Sequence, residues 1–417
     1  MFLKGFKEGT MKKVMGTILG LVMMTGVAYA DSNDVIMLQG HLSSNNTANI
    51  TQENGSGNKA YLVQDYQSQG NQLTVYQGGN NNAIQDTWLA YEDFSTGKIY
   101  DLGYAKIGYA QWGNGNIASL SQTGDNNSIK GFQVGDGNQA YITQLGNGNA
   151  VVQRQVGDGN YASIYQGGNS NKANVFQGNM WEGYQGVSGT EGTSNNNIAG
   201  VVQNGTGDLA NIIQKTGTGN TASVYQAGAA GYSSPDNNVA NVTQTGSLNY
   251  ASVNQADTDN LATINQTGDA NRAVVAQTGS GNQATITQSG YKDYASVGQS
   301  GSGNLATIGQ GGLEGEYDSW NNTANVSQAG VSNEASIIQG GYLNGASVTQ
   351  LGSLNVATID QLGNNNLATV GQFGSGNIAT VNQSGSFLTA NVSQYNTGNV
   401  ANVLQMGASN TATITQK

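Results

Sequence analysis

The chain has 417 residues, 62 of them Gly and none Cys, with 9% charged residues and a formal net charge of −11. Lack of Cys excludes disulfides, zinc–thiolate sites and cysteine nucleophiles, and an acidic chain without basic clusters argues against nucleic-acid binding. Length alone suggests two or three domains, but the internal repeat described below overrides that prior in favour of one elongated unit.

Residues 1–30 read as a secretory signal. Lys12-Lys13 form a basic start, Val14 to Val27 an apolar run, and Ala28-Tyr29-Ala30 a cleavage site. Met11 is the more natural beginning and Asp31 the expected mature start. The apolar run is short for a membrane span, and no other stretch reads as a membrane helix. Without the leader's four Lys and one Glu the net charge becomes about −14. Residues 31–44 form a secretion or flexible segment with an imperfect repeat unit ending at Gln39. It holds His41, the single His of the chain, so a triad or His-metal cluster is not expected.

From residue 45 to 417 one eleven-residue unit recurs: Asn-x-Ala-x-(Ile/Val)-x-Gln-x-Gly-x-x. Early copies end at Gln52, Gln64 and, more loosely, Gln77. An insertion near 78–106 holds Trp88, Glu92, Asp93 and Phe94. Copies anchored at Gln111 to Gln177 follow, then an insertion near 178–196 with Trp181 and Glu191. Anchors Gln203, Gln214 and Gln226 precede an insertion near 229–237 that contains the single proline, Pro235. A proline confined to a loop is what strands require. Seven further copies run from Gln244 to Gln310. The last insertion, near 311–320, carries Glu314, Glu316, Asp318 and Trp320. Nine copies then run without slippage from Gln328 to Gln416. This uninterrupted block is expected to order first.

An eleven-residue period can mark a right-handed helical supercoil. Here, however, the recurring residues fall at every second position, as in Asn366, Ala368, Val370 and Gln372, which is the strand signature. A Gly in every unit beside β-branched residues also disfavours helix. Because eleven is odd, a continuous strand would send successive Gln residues to opposite faces. A tight turn at Gly-x-x-Asn removes the conflict, since Gly and Asn tolerate positive φ. The fold class is therefore all-β: a β-solenoid with Asn, Ala, Ile/Val and Gln inward and its ends uncapped. A buried amide without a partner costs about 1–3 kcal/mol. Stacking at roughly 4.8 Å lets each Gln donate to one neighbour and accept from the other. The 30 anchors make about 15 rungs at two strands each, although the insertion positions do not separate two strands per rung from three.

The pattern Gln372-Phe-Gly374-Ser-Gly-Asn377-Ile-Ala379-Thr-Val-Asn-Gln383 resembles the curlin repeat of bacterial curli subunits. The resemblance implies a secreted functional amyloid of about 22 residues per rung, forming a homopolymeric cell-surface fibre for adhesion and the biofilm matrix. It further implies a minor nucleator subunit, a periplasmic secretion chaperone and an outer-membrane export pore as partners. In that family the inward Asn and Gln of the terminal repeats drive assembly. The matching residues are Asn46, Gln52, Asn58 and Gln64 at one end, and Asn399, Gln405, Asn410 and Gln416 at the other. The number of repeats exceeds that of the familiar subunits. The regular, non-basic last unit is closer to a major subunit than to the nucleator.

No enzyme, cofactor or metal site is expected. Gly-Asp-Gly-Asn at 135–138 and 157–160 superficially resembles calcium-binding nonapeptides, but the period is eleven rather than nine. Glu314, Glu316 and Asp318 read as a solvated loop, and no Gly-Lys-Ser/Thr follows the Gly-rich tracts. Asp125, Asp136, Asp158 and Asp269 in the turns serve either as gatekeepers against premature stacking or as solubilising charge. The competing functions are a monomeric adhesin and an ice-binding solenoid built on outward Thr pairs such as Thr285/Thr287 and Thr413/Thr415. Most units break that pair.

Overall fold

A computed structural model describes residues 24–28, 33–39, 44–64, 69–84, 91–93, 98–100, 108–178, 186–188, 194–204, 208–215, 217–227, 236–311 and 319–417. Among these residues there is no helix, and the strands form a two-sheet β-solenoid. Consecutive units alternate between the sheets. Strand Leu367–Ser375 pairs in parallel with Thr389–Thr397, while the intervening Ile378–Ser386 pairs with Val400–Ala408 in the other sheet. Ala368 lies against Ala390 and Gln372 against Gln394. Ladder partners are thus two units, 22 residues, apart in an unbroken stretch, which settles two strands per rung. Sheet I contains Thr47–Glu53 and Val400–Ala408 and has 16 strands. Sheet II contains Lys59–Gln64 and Thr411–Gln416.

The core follows from the period of two. Ala368, Val370 and Gln372 point inward and are buried, while Leu367 and Thr369, which alternate with Ala368 and Val370, are exposed. Small Ala and branched Ile/Val from both sheets form one continuous cluster along the solenoid. The turn needs positive φ twice, at Gly374 (φ 128°) and Gly376 (φ 63°). Gly374 has a second reason: a Cβ there would lie 1.8 Å from the Asn396 carbonyl of the next rung. Stacking at strand spacing leaves no room for a side chain at that point.

The first insertion opens inside a strand. Ala83–Ile84 and Tyr109–Trp112 are two halves of one sheet II strand, both lying between Lys59–Gln64 and Ser128–Val134. Asn82 and Gln111 therefore belong to one unit. The short strands Tyr91–Asp93 and Lys98–Tyr100 pair antiparallel, whereas Trp88 and Phe94 lie outside the described residues. The second insertion contains a hidden unit. Gly186–Ser188 fills the sheet I slot between Tyr161–Gly167 and Leu209–Lys215, with Val187 in register with Ala162 and Ala210. This unit has no anchor Gln, so it escapes a count of anchors. His41, Trp181, Glu191, Pro235, Glu314, Glu316 and Asp318 lie outside the described residues. So does most of the leader, although Met24–Ala28 pairs in parallel with Thr47–Glu53.

The core also repairs itself beside the split strand. Tyr109, fully buried, stands in an Ile/Val position and donates its hydroxyl to Gln153 Oε1 at 2.7 Å. Between them the same position is Gly131, where a Cβ would lie 2.9 Å from the Tyr109 ring and 2.3 Å from the Gln153 carbonyl. Large, absent and polar side chains on successive strands replace three aliphatic ones. On the outer face nearby, Val63, Ala110 and Trp112 form a small second cluster with Phe132 and Val134.

Candidate functional site

The inward amides form ladders with a fixed direction. Where the next strand of its sheet carries an anchor Gln, each anchor Gln donates Nε2–H to Oε1 of that C-terminal neighbour. Gln328 donates to Gln350, Gln350 to Gln372 and Gln372 to Gln394, at 2.8, 2.8 and 2.9 Å. The second Nε2–H goes to backbone, as from Gln372 to the Val356 carbonyl at 2.9 Å. In these rungs both amide hydrogens of the anchor Gln thus have partners, and the side-chain dipoles align along the axis. Such chains of hydrogen bonds strengthen cooperatively in a low-dielectric interior.

The Asn column works differently from the reciprocal amide stacking expected of Gln. Asn344 Oδ1 accepts the backbone N–H of Asn366 at 3.0 Å, and Asn344 Nδ2 donates to the Gly363 carbonyl in the next turn at 2.8 Å. Asn therefore ties a side chain to the main chain of the following rung and holds the turn. Direct Asn–Asn contacts are added in some rungs, for example Asn355 to Asn333 at 3.0 Å.

At the N-terminal end Asn46 is half-buried and accepts from the backbone N–H of Asn71 at 2.9 Å. Asn58 is buried and bonds Asn33, Gly79 and Asn82. Gln64 donates to Gln111 at 2.8 Å. Gln52 donates to Gln77 at 2.7 Å, but its buried Oε1 receives no donor. At the other end Gln405 and Gln416 accept from Gln383 and Gln394, both at 2.8 Å. Their own Nε2 groups reach only the Thr389 and Val400 carbonyls. Asn399 is half-buried and receives no following rung. Asn410 is exposed and bonds only Met406 through its side chain. The predicted residues thus form two separate sets: near the first rungs, where Met24–Ala28 and Asp34–Gln39 stack outside Thr47–Glu53 and Lys59–Gln64, an acceptor without a donor at Gln52, and at the last rung Gln donors that reach only backbone.

Sequence reasoning missed the breaks in these ladders. Buried Leu388 takes an Asn position, so the last sheet II strand loses its Asn contact. Gln214 Oε1 is buried without a partner because the preceding sheet I unit, Gly186–Ser188, carries no Gln. Asp208 and Asp293 also occupy Asn positions. Burial pushes the Asp208 carboxyl up to about 7, with Asp236 adding to the rise and the Asn238 amide opposing it. Burial raises Asp293 as well, against hydrogen bonds from Ser319 and Asn322.

Among the described residues the outer faces carry no doubled Thr array. Sheet I aligns one column, Thr263, Thr285, Thr307, Ser336, Thr358 and Thr380. The neighbouring outward column over those rungs reads Asn265, Thr287, Gly309, Ile338, Asp360 and Asn382, so a flat two-column surface does not form. Among the described residues no cluster of His, Cys, Asp and Glu is placed to hold a metal, and no helix is long and apolar enough to cross a membrane.

The curlin associated repeat matches residues 258–290, 282–312, 321–352 and 355–385. Residues 258–385 carry curlin repeats. The repeat units upstream of the matched segments follow the same geometry with insertions. No curated protein matches the chain.

Proposed function

We propose that this curlin-repeat protein is the structural subunit of a secreted, curli-like amyloid fibre that assembles head to tail through its end rungs and serves adhesion and the biofilm matrix. The observation that carries the reading is the polarity of the Gln ladder. The last rung offers Nε2 donors at Gln405 and Gln416, and removal of the leader strand Met24–Ala28, which stacks on Thr47–Glu53, would bare the unpartnered acceptor Gln52 Oε1. A donor end that meets an acceptor end makes a heterologous contact, which does not close and so propagates a filament. The last strand, Thr411–Gln416, pairs on one side, and an exposed strand edge recruits another chain. Joining the freed ends would give Gln52 Oε1 a donor, whereas burying it without one costs about 1–3 kcal/mol. A nucleator subunit, a secretion chaperone and an outer-membrane pore are the partners that family likeness adds.

The test replaces both donors while keeping the acceptors. In Gln405→Glu/Gln416→Glu the carboxylates still accept from Gln383 and Gln394 but cannot donate. Monomers of this variant, with strand content checked by circular dichroism, are added to wild-type seeds. Growth is expected to slow at least tenfold. Growth at the wild-type rate would refute templating through the last rung.

A further inference from the structure

In the turns, the residue before each inward Asn takes positive φ, which Gly and Asn adopt with least strain. Three turns on one edge use Leu248, Leu343 and Phe387 instead, at φ 61°, 57° and 57°. These side chains are 66, 55 and 61% exposed. Left-handed backbone costs a non-Gly residue roughly 1–2 kcal/mol. The same edge carries Tyr291, Trp320 and Tyr342, all exposed and aligned by bridges from turn to turn. Their rings meet edge to face at 6.1 and 5.9 Å. Hydrogen bonds between successive turns place Leu248, Ala270, Lys292, Asn321, Leu343, Asn365 and Phe387 in one row. The opposite edge at neighbouring rungs reads Asp259, Gly281, Gly303, Ser332, Leu354 and Gly376, so the turn itself does not demand bulk.

The order along the row is nearly palindromic. It runs Leu248, then Asp269-Ala270, then Tyr291-Lys292, then Trp320-Asn321, then Tyr342-Leu343, then Asn364-Asn365, then Phe387. We propose that this edge is a self-complementary interface for a second copy of the chain, lying antiparallel about a two-fold axis at Trp320. A two-fold contact pairs residue i with j and j with i. Here it sets Leu248 against Phe387, Asp269 against Asn364-Asn365, and Tyr291-Lys292 against Tyr342-Leu343. The Lys292 ammonium, 4.8 Å from the Tyr291 ring of its own chain, then meets a second aromatic ring in the partner. A parallel, in-register pair would instead oppose Asp269 to Asp269 and Lys292 to Lys292, and like charges penalise that arrangement.

Six rung steps make the row about 29 Å long. A strip that narrow falls short of a stable stand-alone interface. It acts as a weak contact between single copies and gains strength when assembled copies engage it together. The contact is lateral and does not depend on end-to-end templating.

Because the native chain has no Cys, cross-linking reads the pairing directly. Full chains carrying Leu248→Cys and Phe387→Cys are prepared separately, checked for strand content, mixed and oxidised. The proposal expects the mixed 248–387 disulfide to exceed either like-with-like product at least fivefold. A Leu354→Cys control on the opposite edge should give no enrichment with either. Dominant 248–248 and 387–387 products would establish parallel pairing, and the same low yield for all combinations would show that the edge is not an interface. Either result overturns the proposal. Seeded growth followed in the same samples reads end-to-end assembly separately, so the two ideas fail independently.

Discussion

Replacing Gly131 by Val tests whether the core beside the first insertion is a coupled set. The new Cβ would lie 2.3 Å from the Gln153 carbonyl and 2.9 Å from the Tyr109 ring, so strand or ring must move. Overpacking of this kind costs roughly 1–3 kcal/mol. Tyr109→Val alone leaves a cavity and removes the donor to Gln153 Oε1, whose own Nε2 already lacks a partner. Cavity and unpaired amide together should cost about 3–5 kcal/mol. The triple variant Tyr109→Val/Gly131→Val/Gln153→Val restores the aliphatic column of neighbouring rungs and removes both polar groups. It should fall within about 1 kcal/mol of the native chain, a coupling well beyond additivity. Long repeat arrays need not unfold as one unit, so the assay is hydrogen exchange at Ser128–Val134 and Ala150–Val156. Each 1.4 kcal/mol appears there as about a tenfold change in the opening equilibrium. A triple variant as unstable as the sum of its parts would refute the reasoning.

The Asp208 carboxyl has a folded pKa of about 7, above its ordinary 3.8, so the folded state binds more protons between those values. Stability near Leu209–Lys215 should therefore fall as pH rises from about 4 to about 7 and level off above. Hydrogen exchange corrected for intrinsic rates should show this slope in the native chain and lose it in Asp208→Asn; a slope that persists in the variant would assign it elsewhere. Leu388→Asn should give the Asn410 N–H an acceptor and protect Thr411–Gln416 by about 1 kcal/mol, seen as slower exchange at the terminal strand. No added protection there would count against the Asn contact as a determinant of end order.

The regular part of this fold is legible in sequence because stacking repeats one environment. Identical neighbours impose the same small Ala, branched Ile/Val and amide at each level, so Ala368, Val370 and Gln372 declare their inward face. The eleven-residue spacing with Gly374 and Asn377 likewise announces a turn. What stays hidden depends on neighbours two units away. Tyr109, Gly131 and Gln153 each break the pattern, and only the register shows that the breaks compensate. Gly186–Ser188 lacks the anchor Gln, yet it keeps backbone pairing, which needs no particular side chain. The terminal residues Gln52 and Gln416 could be named from the repeat, but the one-way direction of the Gln ladder requires the geometry. The edge row from Leu248 to Phe387 likewise emerges only once alternate units are assigned to different sheets.

The account rests on end-to-end growth of a stacked two-sheet solenoid. The most direct measurement follows thioflavin fluorescence of the denatured mature chain after removal of denaturant, then fibre diffraction of the product. The account predicts seedable fibres with a meridional reflection near 4.8 Å. A persistently soluble, strand-rich monomer that neither elongates seeds nor forms fibres would contradict it.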